Sequence, residues 1–443
     1  MENIFERKDS FRVYIGLSLP LVCSMVVSII YSMADTYFIS VTQDTLLVAG
    51  VSICAPIFTL LMAMGNVFAQ GGSSLISRLL GQRDFDGVKH VTAFSFYAAI
   101  AAGIAVGIIL LAFHSPILYA MGADKDTFMQ AKSYYTCLAV GAPLIVVSFI
   151  PSNQLRAEGL SKESMVGSIL GAAINIILDP LLISVFGMGA AGAAIASVIG
   201  YVFTDIYYIW IILKKAHCYS LNPGMIRMPG EWITQCLALG LSNGLANITQ
   251  SICQMIMNHH LLIYGNDKIA AMGIALKVNN ISVLVLIAFA FAAQPVIGYF
   301  YGANQNERML KLIRQIFIFL LLLSGAITAV VLLAAPQLMS LFLKAPDIIA
   351  TGTHIIRLLS ITIIPMTLTI FIMIIFLSMG KAVQGLILST SRQGYIFLIL
   401  FFLFVNIWGY EGILCTQAAA DVISFLLSII LIRKTLFPAS LKN

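Results

Sequence analysis

Apolar runs of about twenty residues or more, separated by short polar breaks, recur from one end of this 443-residue chain to the other. A run of that length is what an α-helix needs to cross roughly 30 Å of hydrocarbon, whereas barrel strands appear as alternating segments of about ten residues. Composition agrees: 60% of the residues are hydrophobic and 10% charged, where soluble domains average about 45–50% and about 25%. Too little polar side chain remains to cover a soluble surface, and apolar residues are too frequent for a disordered chain. The expected fold class is an all-α polytopic membrane protein.

Twelve candidate spans follow, near 13–39, 46–70, 90–113, 127–150, 164–185, 189–213, 232–263, 269–300, 311–334, 349–378, 384–408 and 412–432. The longest polar break runs from Lys214 to Glu231 and includes Lys215, Pro223, Arg227 and Pro229. It divides the chain into an N-lobe (1–213), a linker (214–231) and a C-lobe (232–443), with six spans on each side. The first span contains Pro20 and Asp35 and ends without a small-residue cleavage site, so it reads as a retained helix and not a signal peptide. An even span count puts both termini on one side. Nineteen Lys and Arg fall on that side, Arg83, Lys89, Lys214, Lys215, Arg392 and Lys442 among them; Lys125, Lys132, Lys268 and Lys344 lie opposite. This asymmetry predicts cytoplasmic termini.

The halves echo each other at a nearly constant offset. Pro143 and Pro365 are 222 residues apart, Gly81 and Gly302 are 221, Gly159 and Gly380 are 221, and Gly192 and Gly412 are 220. A six-helix unit present twice has both copies in the same orientation, related by a pseudo-two-fold axis along the membrane normal. Parallel repeats of this kind occur in transporters, with substrate bound near the midplane.

Four acidic residues fall inside spans: Asp35, Asp179, Asp205 and Asp421. A carboxylate at the bilayer centre costs at least about 2.5–3.5 kcal/mol, so such groups face an interior cavity and are read as functional first. Asp205 and Asp421 have weaker claims to a direct role: Asp205, beside Thr204, Tyr207 and Tyr208 towards the cytoplasmic end of the sixth span, also reads as simply solvated, and Asp421 as capping or pairing within its bundle. Asp35 and Asp179 have richer company. Ser24, Ser28, Tyr31 and Asp35 step by four, three and four, and so lie within a narrow arc of the first helix. Gly167, Gly171, Asn175 and Asp179 step by four on the fifth, where the glycines permit close helix approach. Pro20 and Pro180 each free a backbone carbonyl. Two carboxylates and an amide suit a hard monovalent cation or a shared proton; a structural hydrogen-bond network is the alternative.

The seventh span carries a polar stripe, Asn243, Asn247, Gln250, Gln254 and Asn258, on a face that should point away from lipid. Substrate lining and interhelical glue account for it equally well. At an offset of 223, Asn258 overlays Asp35, and the counterpart of Asp179 near Leu400 is apolar. The titratable site is therefore expected in the first half only. Lys277 is a base well inside a span; snorkelling, anion binding and pairing with an acid all remain open for it. Cysteines are scattered singly, and no metal-ligand spacing, P-loop, GxSxG or dinucleotide fingerprint occurs in a suitable context. Nothing resembles a nucleic-acid patch. An ATP-driven pump or a hydrolase is not expected.

Leu19-Pro20, Met33-Ala-Asp-Thr-Tyr-Phe-Ile-Ser40, Gly50-Val-Ser-Ile-Cys-Ala-Pro56, Ser77-Arg-Leu-Leu-Gly81, Leu155-Arg-Ala-Glu-Gly159, Asn175-Ile-Ile-Leu-Asp-Pro180 and Gly189-Ala-Ala-Gly-Ala-Ala194 together resemble the MATE multidrug and toxin extrusion family. With no acids in helices seven, eight and ten, the pattern is nearer the DinF-like, MepA-like prokaryotic branch than the NorM branch. The resemblance implies two six-helix lobes around a central cleft and H⁺- or Na⁺-coupled export of organic, often cationic and amphipathic compounds. Carried over residue by residue, it implies a cation site at Tyr31, Asp35, Asn175, Asp179 and Ser197, with Na⁺, if that is the ion, on Asp35, Asn175 and Asp179. Pro20 matches the proline linked to bending of helix one. Ser197 stands where threonine is usual and keeps the hydroxyl oxygen. No cofactor beyond the coupling ion is implied, and the partners are small organic substrates and the lipid bilayer. A monomer in the cytoplasmic membrane of a prokaryote is expected. Two rivals remain: a lipid-linked oligosaccharide flippase, which needs a cationic cavity where only Lys277 and Arg357 are available, and a membrane-embedded transferase.

Overall fold

A computed structural model describes residues 4–216, 218–340 and 346–436; Lys344 and Lys442 of the charge asymmetry lie outside them. Among the described residues there is no strand. The long helices are α1 (Ser10–Val41), α2 (Thr45–Gly81), α3 (Phe85–Ala112), α4 (Phe128–Ala157), α5 (Ser161–Val185), α6 (Gly189–Lys214), α7 (Gly230–Leu261), α8 (Asn266–Gly302), α9 (Asn306–Ser340), α10 in two pieces (Pro346–Ile361 and Ile363–Ser378), α11 (Ala382–Trp408) and α12 (Tyr410–Leu436). Each covers one expected span. Ten are long and apolar enough to cross a membrane, and the two pieces of α10, bent by 41°, together pass as an eleventh span. The remaining long helix, α7, has the length, but its polar stripe dilutes its hydropathy. The protein is a multi-pass membrane protein.

Local chemistry sets the helix ends. Asp44 caps α2 by accepting from the backbone N–H of Leu46 at 2.9 Å and of Leu47 at 3.1 Å, and Asp84 caps α3 through Gly87 N–H at 2.9 Å. The repeat reappears in the backbone. Arg83 and Asn304, just past α2 and α8, both take positive φ (61° and 55°), as do Gly159 and Gly380 at the ends of α4 and α10 (90° and 76°). Gly192 and Gly412 are matched as well: a Cβ on either would run into backbone, of Leu182 in the first half and of Phe404 in the second. The sixth helix of each half thus presses on the end of the fifth where only hydrogen fits.

The chain folds into two compact units, one of residues 1–7 and 15–240, the other of 8–14 and 241–443. In the first, α4 packs against α2, α3, α5 and α6 around Leu61, Tyr135, Leu138, Ile145 and Ile150. The start of α7 belongs here too, because Gly71 and Gly240 admit the backbones of Cys236 and Val67 where α2 and α7 cross, and Arg78 donates to Gln235 at 3.0 Å. The second unit builds its core on Met257, Leu261, Ile356, Phe397 and Ile413. The polar segment after α6 is pinned to the first unit: Tyr219 donates to Gln154 at 2.6 Å, and Tyr97 to the Leu221 carbonyl at 2.7 Å. Burial, with Glu158 beside it, pushes the Cys218 thiol there up to about 11.

Candidate functional site

Three helices of the first unit bring oxygen atoms together. Ser197 on α6 is the junction: its Oγ lies 3.2 Å from the Tyr31 hydroxyl of α1 and accepts from Asn175 Nδ2 of α5 at 3.1 Å. With one N–H of its amide given to Ser197, Asn175 presents Oδ1, which has no partner. Asp179, one turn further along α5, is 0% exposed, and neither of its carboxylate oxygens has a hydrogen-bond donor. Oδ1 of the half-buried Asp35 is likewise unpartnered. Tyr134 of α4, missed by sequence reasoning, is an electrostatic neighbour of both carboxylates. Ser24 and Ser28, on the same arc as Tyr31, instead donate back to carbonyls of their own helix, Pro20 at 3.0 Å and Ser24 at 2.9 Å.

The local backbone makes this possible. A Cβ on Gly200 would stand 2.8 Å from the Gly171 carbonyl oxygen, so α5 and α6 approach as closely as glycine allows and set Asn175 against Ser197. Directly after Asp179, Pro180 gives way to a wider π-turn over Leu181–Val185. Such insertions recur at functional sites.

Beside the junction is a cavity of about 430 Å³. Tyr31, Asn175 and Ser197 line it together with Phe58, Met62, Ser148, Phe149, Tyr201, Thr204 and Tyr208. The recurrence Ser197, Tyr201, Thr204, Tyr208 at helical spacing was the available sequence signal for the α6 wall. Donor-poor oxygens from two carboxylates and an amide, with two hydroxyls alongside, fit one proton or one monovalent cation: an unpaired buried charge is too costly to leave unneutralised. Among the described residues no three His, Cys, Asp or Glu converge, so the donor set for a polyvalent metal is not assembled there.

One reading is corrected. Asp205 is not solvated: it is 8% exposed, covered by the packing of α4 and α5 on α6. In the second unit, α11 leaves helical geometry at Gln393 and Gly394, and Arg392 Nη1 reaches Asp421 Oδ1 at 3.6 Å. Asp421, 1% exposed, also accepts from Gln417 Nε2 at 3.0 Å, which is the pairing within its bundle that the sequence suggested.

In the second unit, the stripe of α7 is divided. Asn247, Gln254 and Asn258 are exposed while Cys253, Met257 and Leu261 pack into the core, so these three amides lie on the open face of their unit and are not clasped between its helices. Asn243 and Gln250 are half-buried, and Lys277 on α8 is exposed.

These features define a class: a polytopic helical membrane protein built from a six-helix unit used twice, with its donor-poor acidic site in the first copy. The sequence profile of the MatE family matches residues 20–181 and again 244–403, one match in each half. The chain belongs to this family. It is 26% identical over 428 residues to the multidrug export protein MepA of Staphylococcus aureus (strain MSSA476), covering 97% of this chain and 94% of that protein, and 25% identical with the same coverage to MepA of Staphylococcus haemolyticus (strain JCSC1435). A crystal structure of MATE in the straight conformation superposes with a TM-score of 0.92 at 23% identity, over 98% of both chains. That likeness establishes the fold.

Proposed function

We propose that this protein exports organic, often cationic and amphipathic compounds from a prokaryotic cell in exchange for H⁺ or Na⁺, with the coupling ion bound at Tyr31, Asp35, Asn175, Asp179 and Ser197. The observation that carries the reading is the set of buried acceptor oxygens without donors, Asp35 Oδ1, Asn175 Oδ1 and both oxygens of Asp179. An ion arriving there removes one of the site's negative charges, and its departure restores a charge that the site must accommodate by moving. One positive charge crossing 150 mV supplies about 3.5 kcal/mol, a concentration ratio of a few hundred. Membership in the family and likeness to MepA support drug export. The cavity of the first unit offers hydroxyls, aromatic rings and an amide but no lysine or arginine, which favours a cationic occupant over the pyrophosphate of a flippase substrate.

The test is ethidium efflux from energised vesicles under separate H⁺ and Na⁺ gradients, with Asp35→Asn and Asp179→Asn beside the wild type. Export that follows one gradient and is lost in both variants supports the antiporter and names its ion. Full activity of either variant, or indifference to both gradients, removes the coupling site.

A further inference from the structure

The hydroxyl face of α6 does not stop at the coupling site. Ser197, Tyr201 and Asp205 follow one another at steps of four, on one side of the helix and spread over about 12 Å of its rise. Asp205 is more than nine-tenths buried, and neither of its carboxylate oxygens has a hydrogen-bond partner. A carboxylate kept for structure would be held by several donors; the donor that faces this one is a single hydroxyl, that of Ser148. Its neighbours Tyr201, Thr204 and Tyr208 line the cavity that also reaches Tyr31, Asn175 and Ser197, and so does Ser148 of α4, which faces it. A cavity of this volume, with these hydroxyls on its wall, has room for water to carry protons between them.

The charged and titratable surroundings are few. On α6 they are Tyr201 and Tyr208; from α4, Arg156 approaches Tyr208; from α5 come Asp179 and, at the outer end, Glu163, which pairs with Lys215 at 3.0 Å. The single charged residue of α2, Arg78, is engaged with Gln235. Among the described residues no base forms an ion pair with Asp205.

We infer that Asp205 is a second proton-binding carboxylate, receiving the proton from the Asp35–Asp179 site and passing it along the cavity towards the linker end of the first unit. One O–H bond forms at Asp205 as one breaks at the donor. The neutral carboxyl then gives the proton up on the linker side and regains its charge, and nothing else is consumed. The inference rests on the coupling reading above, with H⁺ as the ion.

Full-length protein reconstituted into liposomes loaded with a pH-sensitive dye, with ethidium added, reports proton flux and ethidium binding together. Asp205→Asn is expected to bind ethidium as the wild type does while its ethidium-driven proton flux falls about tenfold or more and loses its pH dependence, with recovery in Asp205→Glu. Wild-type flux in Asp205→Asn, alongside loss in Asp179→Asn, overturns the relay and leaves the coupling site standing. Wild-type flux in Asp35→Asn and Asp179→Asn removes the coupling reading itself. Loss of ethidium binding in Asp205→Asn makes Asp205 a substrate group and also overturns the relay. If Asp205→Asn does not fold, Ser148→Ala removes the hydroxyl facing Asp205; reduced flux there supports the relay, and unchanged flux counts against it.

Discussion

The hydroxyl of Ser197 stands 3.2 Å from that of Tyr31, a contact between α6 and α1 that spans 166 residues of sequence. It is a joint between two helices, and through Asn175 it also holds the third. Any motion of α1 that separates this pair releases the Tyr31 hydroxyl beside two carboxylates and leaves Asn175 on Ser197.

Removing the joint tests its weight. Ser197→Ala leaves the Tyr31 hydroxyl and the Asn175 amide short of a partner, at a cost of about 1–3 kcal/mol. Gradient-driven ethidium efflux should fall about tenfold, whereas Ser197→Thr, which keeps the oxygen, should stay near wild type. Equal efflux in the alanine and threonine variants would remove the joint from the mechanism.

The α5–α6 approach is a second point of leverage. Gly200→Ala places a methyl 2.8 Å from the Gly171 carbonyl oxygen and 3.4 Å from Asn175 Cβ. Forcing the helices apart should cost about 1–3 kcal/mol, read as a lower melting temperature, and displace Asn175 from Ser197. Gly325→Ala on α9, where a Cβ would meet nothing within 4 Å, is the control and should melt no lower than wild type.

In the second unit, Asp421→Asn strips Arg392 of its counter-charge. A buried charge left alone costs about 3–5 kcal/mol, while replacing both partners by apolar side chains is close to neutral. Asp421→Asn should therefore melt well below wild type, and Arg392→Met combined with Asp421→Leu should recover most of the loss. A single variant as stable as wild type would mean that the pair holds nothing together.

The exposed amides of α7 bear on substrate range. If they line the path of the exported compound, Gln254→Leu and Asn258→Leu should shift the ratio of ethidium efflux to that of a smaller, more polar cation while gradient dependence is kept. An unchanged ratio would return these residues to a passive role.

The sequence alone determined the number and order of the twelve helices, because hydrocarbon imposes run length, a property of each segment by itself. It also determined the repeat, down to Gly192 and Gly412, because steric exclusion at a close approach leaves only one residue type. Helical periodicity put Tyr31 with Asp35, and Asn175 with Asp179, on single faces. It could not say which faces meet. That Ser197 joins Tyr31 to Asn175, that α4 and α5 bury Asp205, and that Arg392 reaches Asp421 across a broken α11 were decided by tertiary structure. Partner choice between helices depends on their rotation and on local breaks such as the one at Gln393 and Gly394. Those are set by packing over the whole unit, and no periodicity within one helix encodes them.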